Sequence, residues 1–167
     1  MRYITTITTR KKRRNEINDR EYHFVSVKKF QEMLLNNGLL EFAEVYGNWY
    51  GVPREPVRQA LEQGLDVMVK VDIQGAASIK KLVPQAVTIF LMPPSQEELL
   101  ARLSGRRTES PADLDLRLET AEEEINQVTL FDYAVVNRAN EIDLAVDEIK
   151  AIITAEKCRV KQADITL

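Results

Sequence analysis

The stretch Asp66-Val-Met-Val-Lys-Val-Asp-Ile73 decides the fold class. It is almost continuously apolar and rich in β-branched residues, the pattern of a strand buried on both faces. A second such stretch, Ala86-Val-Thr-Ile-Phe-Leu-Met92, follows it, and Ala76 to Leu82 between them has helical spacing. Strand, helix and strand in that order form a βαβ unit, whose right-handed crossover makes the two strands parallel. The expectation is therefore an α/β fold, a parallel sheet flanked by helices.

Upstream, Tyr3-Ile-Thr-Thr-Ile-Thr-Thr9 is rich in residues whose χ1 is already restricted, which suits a strand, and the whole run reads as the first one. Val27 to Asn36 sets Phe30, Met33 and Leu34 at helical spacing, and Asn37-Gly38 ends that helix. Leu39 to Val45 and Trp49 to Tyr50 read as short strands about a Gly47-Asn48 turn, and Pro56 to Gln63 as a helix closed by Gly64. Downstream, Ser95 with Glu98 three residues later signals a helix through Leu103. Polar residues Arg106 to Asp113 predict a mobile link to a helix over Leu114 to Gln127. Phe131 to Val136 completes the strands, and Ile142 to Ile153 forms the last amphipathic helix.

Composition narrows the function classes. A chain of 167 residues, 44% apolar and 29% charged, has enough apolar matter for one compact domain or a small core with insertions, and is not a disordered composition. A net charge of −3 gives no general attraction for nucleic acid, and the basic run Arg10-Lys-Lys-Arg-Arg14 is local, matching a small anion better than a polymer. The single cysteine, Cys158, excludes an intrachain disulfide. No apolar run approaches the roughly 18 residues of a membrane span, and the N-terminus reads as no signal peptide, so a cytoplasmic protein without membrane attachment is expected. The lone histidine, His23, has no cysteine or second histidine to join it, so no metal centre is expected.

Four segments carry chemistry. They are Thr8-Thr-Arg10-Lys-Lys-Arg13, then Glu41-Phe-Ala-Glu44 with Gly47-Asn-Trp-Tyr50-Gly51, then Val71-Asp72-Ile-Gln-Gly75, and finally Arg102-Leu-Ser-Gly-Arg106-Arg-Thr-Glu109. Arg10 and Arg13 stand three apart beside a turn, so both guanidinium forks can converge on one phosphate. Asp72 ends a buried strand, where ligands of open α/β sheets bind. Taken singly, a basic run is usually a solvated turn and Glu41 an exposed strand carboxylate. Their joint occurrence in one order favours a site.

In order and spacing these segments resemble the guanylate kinases, from about Arg2 to Ala155. The resemblance implies a P-loop-kinase-like core over 1–10, 64–94 and 128–167, a mixed α+β GMP-binding region over 11–63, and a helical lid over 95–127. It implies that Arg10, Arg13, Tyr22 and Tyr50 hold the GMP phosphate, and that Glu41 accepts the N1 and N2 hydrogens of guanine. Thr6 stands where the family usually has a serine whose hydroxyl faces guanine O6, and Asp72 matches a second acceptor-site carboxylate. Arg102, Arg106 and Arg117 match lid arginines that neutralise the transferring phosphoryl group, and are the expected catalytic residues. Adenine offers an acceptor where guanine offers donors, so Glu41 rejects it; a mispaired buried polar group costs about 1–3 kcal/mol. The implied reaction is ATP + GMP giving ADP + GDP with magnesium.

The sequence also departs from the family. Guanylate kinases open with a strand and a Walker A loop, and no G-x-x-x-x-G-K-[ST] occurs in these 167 residues. The expectation is a sheet missing its usual central first strand, an incomplete ATP site, phosphoryl transfer lost or very weak, and a homodimer or rearranged sheet compensating the vacancy. Lys70 stands where many relatives have another acidic residue near magnesium, Val52 replaces a hydroxyl-bearing residue, and Arg107 replaces a glycine. The alternative is a non-catalytic guanylate-kinase-like module for a phosphopeptide or regulatory nucleotide. Glu41 favours the nucleotide, because a peptide has no guanine edge to read.

Overall fold

A computed structural model describes residues 1–104, 120, 121, 123–160 and 165. The chain divides into two compact units, one formed by Met1–Ala86 and the other beginning at Val87.

In the first unit the run read as one strand from Tyr3 to Thr9 is two. Strand β1 (Arg2–Ile4) and strand β2 (Ile7–Thr8) join different sheets, separated at Thr5-Thr6. The physical reason lies at Thr6, whose hydroxyl donates to the Lys70 carbonyl at 3.1 Å and takes the chain out of the ladder. After β3 (His23–Phe24), helix α1 (Val27–Leu35) starts at Ser26, whose side chain accepts from the Lys29 amide, and it buries Phe30 completely. Strands β4 (Leu39–Val45) and β5 (Asn48–Pro53) form a hairpin in which Val45 pairs with Asn48. Its two-residue loop is Tyr46-Gly47, one position earlier than expected, with φ of 49° and 69° at the two residues. Positive φ at both is what a type I′ hairpin turn needs. The sheet order is β3-β2-β5-β4, with β2 parallel to β3 and the other pairs antiparallel.

Helix α2 (Arg54–Glu62) begins two residues before Pro56, since a proline in the first turn removes only an amide that has no helical acceptor. Its buried Val57 packs with Ile4 and Val52, while Ile7, Phe30 and Leu39 form a second apolar cluster. Strand β6 (Val67–Val69) lies parallel to β1, in the register Arg2↔Val67 to Ile4↔Val69. It is shorter than the predicted strand because Asp72 caps helix α3 (Ile73–Leu82): its carboxylate accepts from the Gly75 amide at 2.8 Å.

In the second unit β7 (Ile89–Met92) is followed by α4 (Gln96–Ser104), where the Ser95 hydroxyl accepts from the Glu98 amide at 3.3 Å, as the sequence led us to expect. A short 3-10 turn (Val128–Leu130) leads into β8 (Tyr133–Val136), which pairs with β7 in parallel. Helix α5 (Ile142–Lys157) closes the order. The polar link and most of the helix expected from Arg106 to Gln127 fall outside the described residues.

The expectation of strands buried on both faces needs correction. Strand β6 is half-buried throughout, and Leu91 of β7 is 53% exposed. Among the described residues β6 pairs only with β1, and β7 only with β8, so each strand keeps an open edge. No helix of the described residues is long and apolar enough to cross a membrane.

Candidate functional site

Strand β2 and the turn after it build a basic, aromatic pole. Thr8 is wholly buried; its hydroxyl donates to the Trp49 carbonyl at 2.9 Å and accepts from the Arg10 amide at 3.2 Å. That fixes where the arginine leaves the sheet. In register Thr8 lies between Phe24 and Tyr50, so aromatic rings flank the exit. The Arg10 guanidinium lies 5.4 Å from the Tyr22 ring centroid and 5.6 Å from that of Phe24, within cation–π range. The Tyr22 and Tyr50 rings meet edge to face at 5.9 Å.

One acidic residue organises this pole, and the sequence reading missed it. Arg10 Nη2 donates to Glu16 Oε1 at 2.7 Å and Nη1 to Glu16 Oε2 at 3.1 Å. The Arg13 amide donates to the same Oε2 at 2.7 Å, and the Arg13 guanidinium reaches within 4.0 Å of Oε1. Arg10 through its guanidinium and Arg13 chiefly through its backbone amide therefore meet on one carboxylate. Burial opposes the Arg10 charge, but hydrogen bonds to Glu16 and Tyr50 outweigh it and raise its pKa. The Arg10 hydrogen bond likewise lowers that of Glu16. The available signal was the repeated spacing of three in Arg10, Arg13 and Glu16.

Strand β4 and helix α3 build a second, acidic pole. Glu41 follows a register shift after Leu39 and is only 7% exposed. Its carboxylate lies against the backbone of Gly75, where a Cβ would come within 2.9 Å of Glu41 Oε1 and 2.9 Å of Val71 Cβ. Only a glycine lets the helix approach that closely. Burial first, and then the nearby charge of Asp72, push the Glu41 carboxyl up to about 7. A buried carboxyl poised near neutrality is a recurrent mark of functional sites.

Other predicted residues fall as follows. Thr6 is buried, and its single hydroxyl hydrogen is engaged by the Lys70 carbonyl, so donating to a ligand requires it to turn. Lys70 is exposed, with its ammonium 4.7 Å from the Tyr22 ring centroid. Val52, opposite Glu41 in register, packs wholly buried in the core beside Ile4 and Val57. Arg102 belongs to the second unit, where it pairs with Glu98 and donates to the Asn137 carbonyl at 2.6 Å. Arg106, Arg107 and Arg117 lie outside the described residues. His23 pairs with the Asp19 carboxylate.

Asp72 is engaged as a helix cap, and burial holds the proton on the Glu41 carboxyl up to about neutrality. Among the described residues no group of three or more His, Cys, Asp or Glu is placed to share a metal.

A tyrosine-flanked arginine cluster and a buried carboxyl, both carried on a mixed sheet beside a parallel strand pair, belong to an α/β protein. The family described as guanylate kinase matches residues 1–156. A guanylate kinase from Desulfitobacterium hafniense (strain Y51) is 46% identical over 162 residues, covering 97% of this chain and 80% of the relative. One from Lactococcus lactis subsp. lactis (strain IL1403) is 44% identical over 158 residues, covering 95% and 76%. The crystal structure of guanylate kinase from Anaplasma phagocytophilum superposes with a TM-score of 0.81 at 33% identity, covering 95% of this chain and 77% of that one. The chain belongs to the guanylate kinase family.

Proposed function

We propose that this chain binds GMP as a phosphoryl acceptor, the phosphate at the Arg10, Arg13, Tyr22 and Tyr50 pole and the guanine edge on Glu41, with Thr6 and Asp72 beside it. The observation that carries this reading is the Glu41 carboxyl, buried against Gly75 and raised to about 7. A buried carboxyl that ionises only reluctantly gains most from two N–H donors arriving together, as guanine N1 and N2 do. Adenine lacks that pair. For the phosphate to reach Arg10 and Arg13 it must share or displace their Glu16 partner, and the tyrosine hydroxyls then complete its ring of donors.

In the complete family reaction, phosphate passes from ATP to GMP. Arg102, Arg106 and Arg117 are proposed to neutralise the charge that spreads over the group in transfer. These 167 residues contain no Walker A sequence to cradle the ATP phosphates, and loss of a single electrostatic stabiliser of a transition state typically costs about 3–4 kcal/mol. Transfer by this stretch alone is therefore proposed to be slow or absent. A second copy of the chain is proposed to cover the open edges of β6 and β7. The core, GMP-binding and lid regions expected from the resemblance remain the proposed division of labour.

Calorimetric titration with GMP, AMP and ATP separately tests the acceptor site. Micromolar GMP binding, at least tenfold weaker AMP binding, and loss of that preference in Glu41→Ala support it, a tenfold ratio being about 1.4 kcal/mol. GMP binding that Glu41→Ala leaves unchanged overturns it.

A further inference from the structure

We infer that Lys70 is a third cation of the acceptor phosphate pole, one that discriminates the phosphorylated nucleotide from the bare nucleoside; this rests on the acceptor-site reading above. Lys70 follows β6 and immediately precedes Val71-Asp72, the entry to α3. Its backbone carbonyl is pinned by the Thr6 hydroxyl at 3.1 Å, and Thr6 is buried. The root of this lysine is thus fixed to the strand junction that leads to Thr8 and Arg10. Its side chain runs back to the same aromatic ring: the ammonium sits 4.7 Å from the Tyr22 centroid, and the Arg10 guanidinium 5.4 Å from that centroid.

Two cations gathered on one tyrosine repel each other. A single ring quadrupole offsets this only in part, each contact being worth about 0.5–1 kcal/mol at an exposed site. Arg10 is neutralised by a two-point pair with Glu16, but among the described residues no carboxylate pairs with the Lys70 ammonium. That leaves a compact, rotatable point charge with three donors beside the ring whose hydroxyl is assigned to the phosphate. A dianionic phosphate entering there satisfies both cations at once. The acids of the second pole do not substitute for it, because Asp72 is turned to the Gly75 amide and Glu41 is packed against Gly75.

The experiment compares GMP and guanosine binding by calorimetry for the full chain and for Lys70→Ala and Lys70→Arg. The expected result is a loss of about tenfold or more in GMP affinity for Lys70→Ala, guanosine affinity unchanged, and recovery to within about threefold in Lys70→Arg, because a charge-assisted bond is lost and then restored. The GMP affinity of Lys70→Ala should also fall less steeply with added salt. Equal GMP affinity in the full chain and Lys70→Ala overturns the inference. So does an equal loss for GMP and guanosine, which would mark a structural role. Failure of the unsubstituted chain to prefer GMP over AMP instead overturns the acceptor-site reading itself, so the two failures are read from different titrations.

Discussion

A carboxyl whose proton is held by burial and by the charge of Asp72 costs the fold something only when it ionises. Glu41 is raised from 4.5 to about 7, so the folded protein binds this proton more tightly than the unfolded chain does. Its contribution is most favourable below about pH 4.5, falls as pH rises toward 7, and levels off above, where the charge costs the fold on the order of 3 kcal/mol. Glu41→Gln should therefore match the unsubstituted protein in urea denaturation at pH 4.5 and exceed its stability at pH 8. On the proposed pairing of guanine with the Glu41 carboxylate, GMP selects the ionised form, so its affinity should decline about tenfold per pH unit below 7, with proton uptake by the protein on release. Titrations in buffers of different ionisation enthalpy count that proton. Arg10, Tyr22, Glu41 and Tyr50 were picked out by the order and spacing that resemble the guanylate kinases, because a basic run or a strand carboxylate taken singly reads as ordinary surface. Glu16 was not, because an acid after a basic run reads as simple charge balance until both arginines are seen to turn toward it.

Element boundaries explain what the sequence hid about the site. A β-branched run favours extended backbone whichever sheet receives it, so nothing in Tyr3 to Thr9 announced that β1 would pair with β6 and β2 with β5. The break is set by a hydrogen bond across 64 positions, from Thr6 to Lys70. Helix α3 starting at Ile73 was obscured in the same way, since the apolar run of the strand continues into it and only the Asp72 cap marks the change. That early start is what carries Gly75 against Glu41. Gly75→Ala would place a methyl 2.9 Å from both Glu41 Oε1 and Val71 Cβ. The glutamate tip can swing away, whereas the valine cannot without moving backbone. The substitution should lower stability by about 1–3 kcal/mol and weaken GMP binding more than guanine-independent phosphate binding. A double-mutant cycle with Glu41→Gln, read by thermal melting and GMP titration, should be non-additive, as expected of groups in direct contact.

At the scale of the whole molecule, the parallel α/β class followed from two apolar runs and the helix between them, but their neighbours did not. The runs looked like strands buried on both faces, and instead, among the described residues, each of β6 and β7 has one hydrogen-bonded partner, an open edge and incomplete burial. An open parallel edge presents a row of unpaired amides and carbonyls to whatever strand arrives. Exposed Val87 and Leu91 add apolar surface to the second unit. Sedimentation equilibrium of the 19.1 kDa chain should then give about twice that mass at micromolar concentration, dissociating on dilution. Leu91→Lys should shift it to the monomer while leaving a cooperative melt, because a lysine left without a partner in an apolar interface carries an uncompensated charge. A single 19.1 kDa species at every concentration would overturn the pairing of copies and leave the proposed GMP site, whose residues Thr6 to Asp72 all belong to the first unit, standing on its own test.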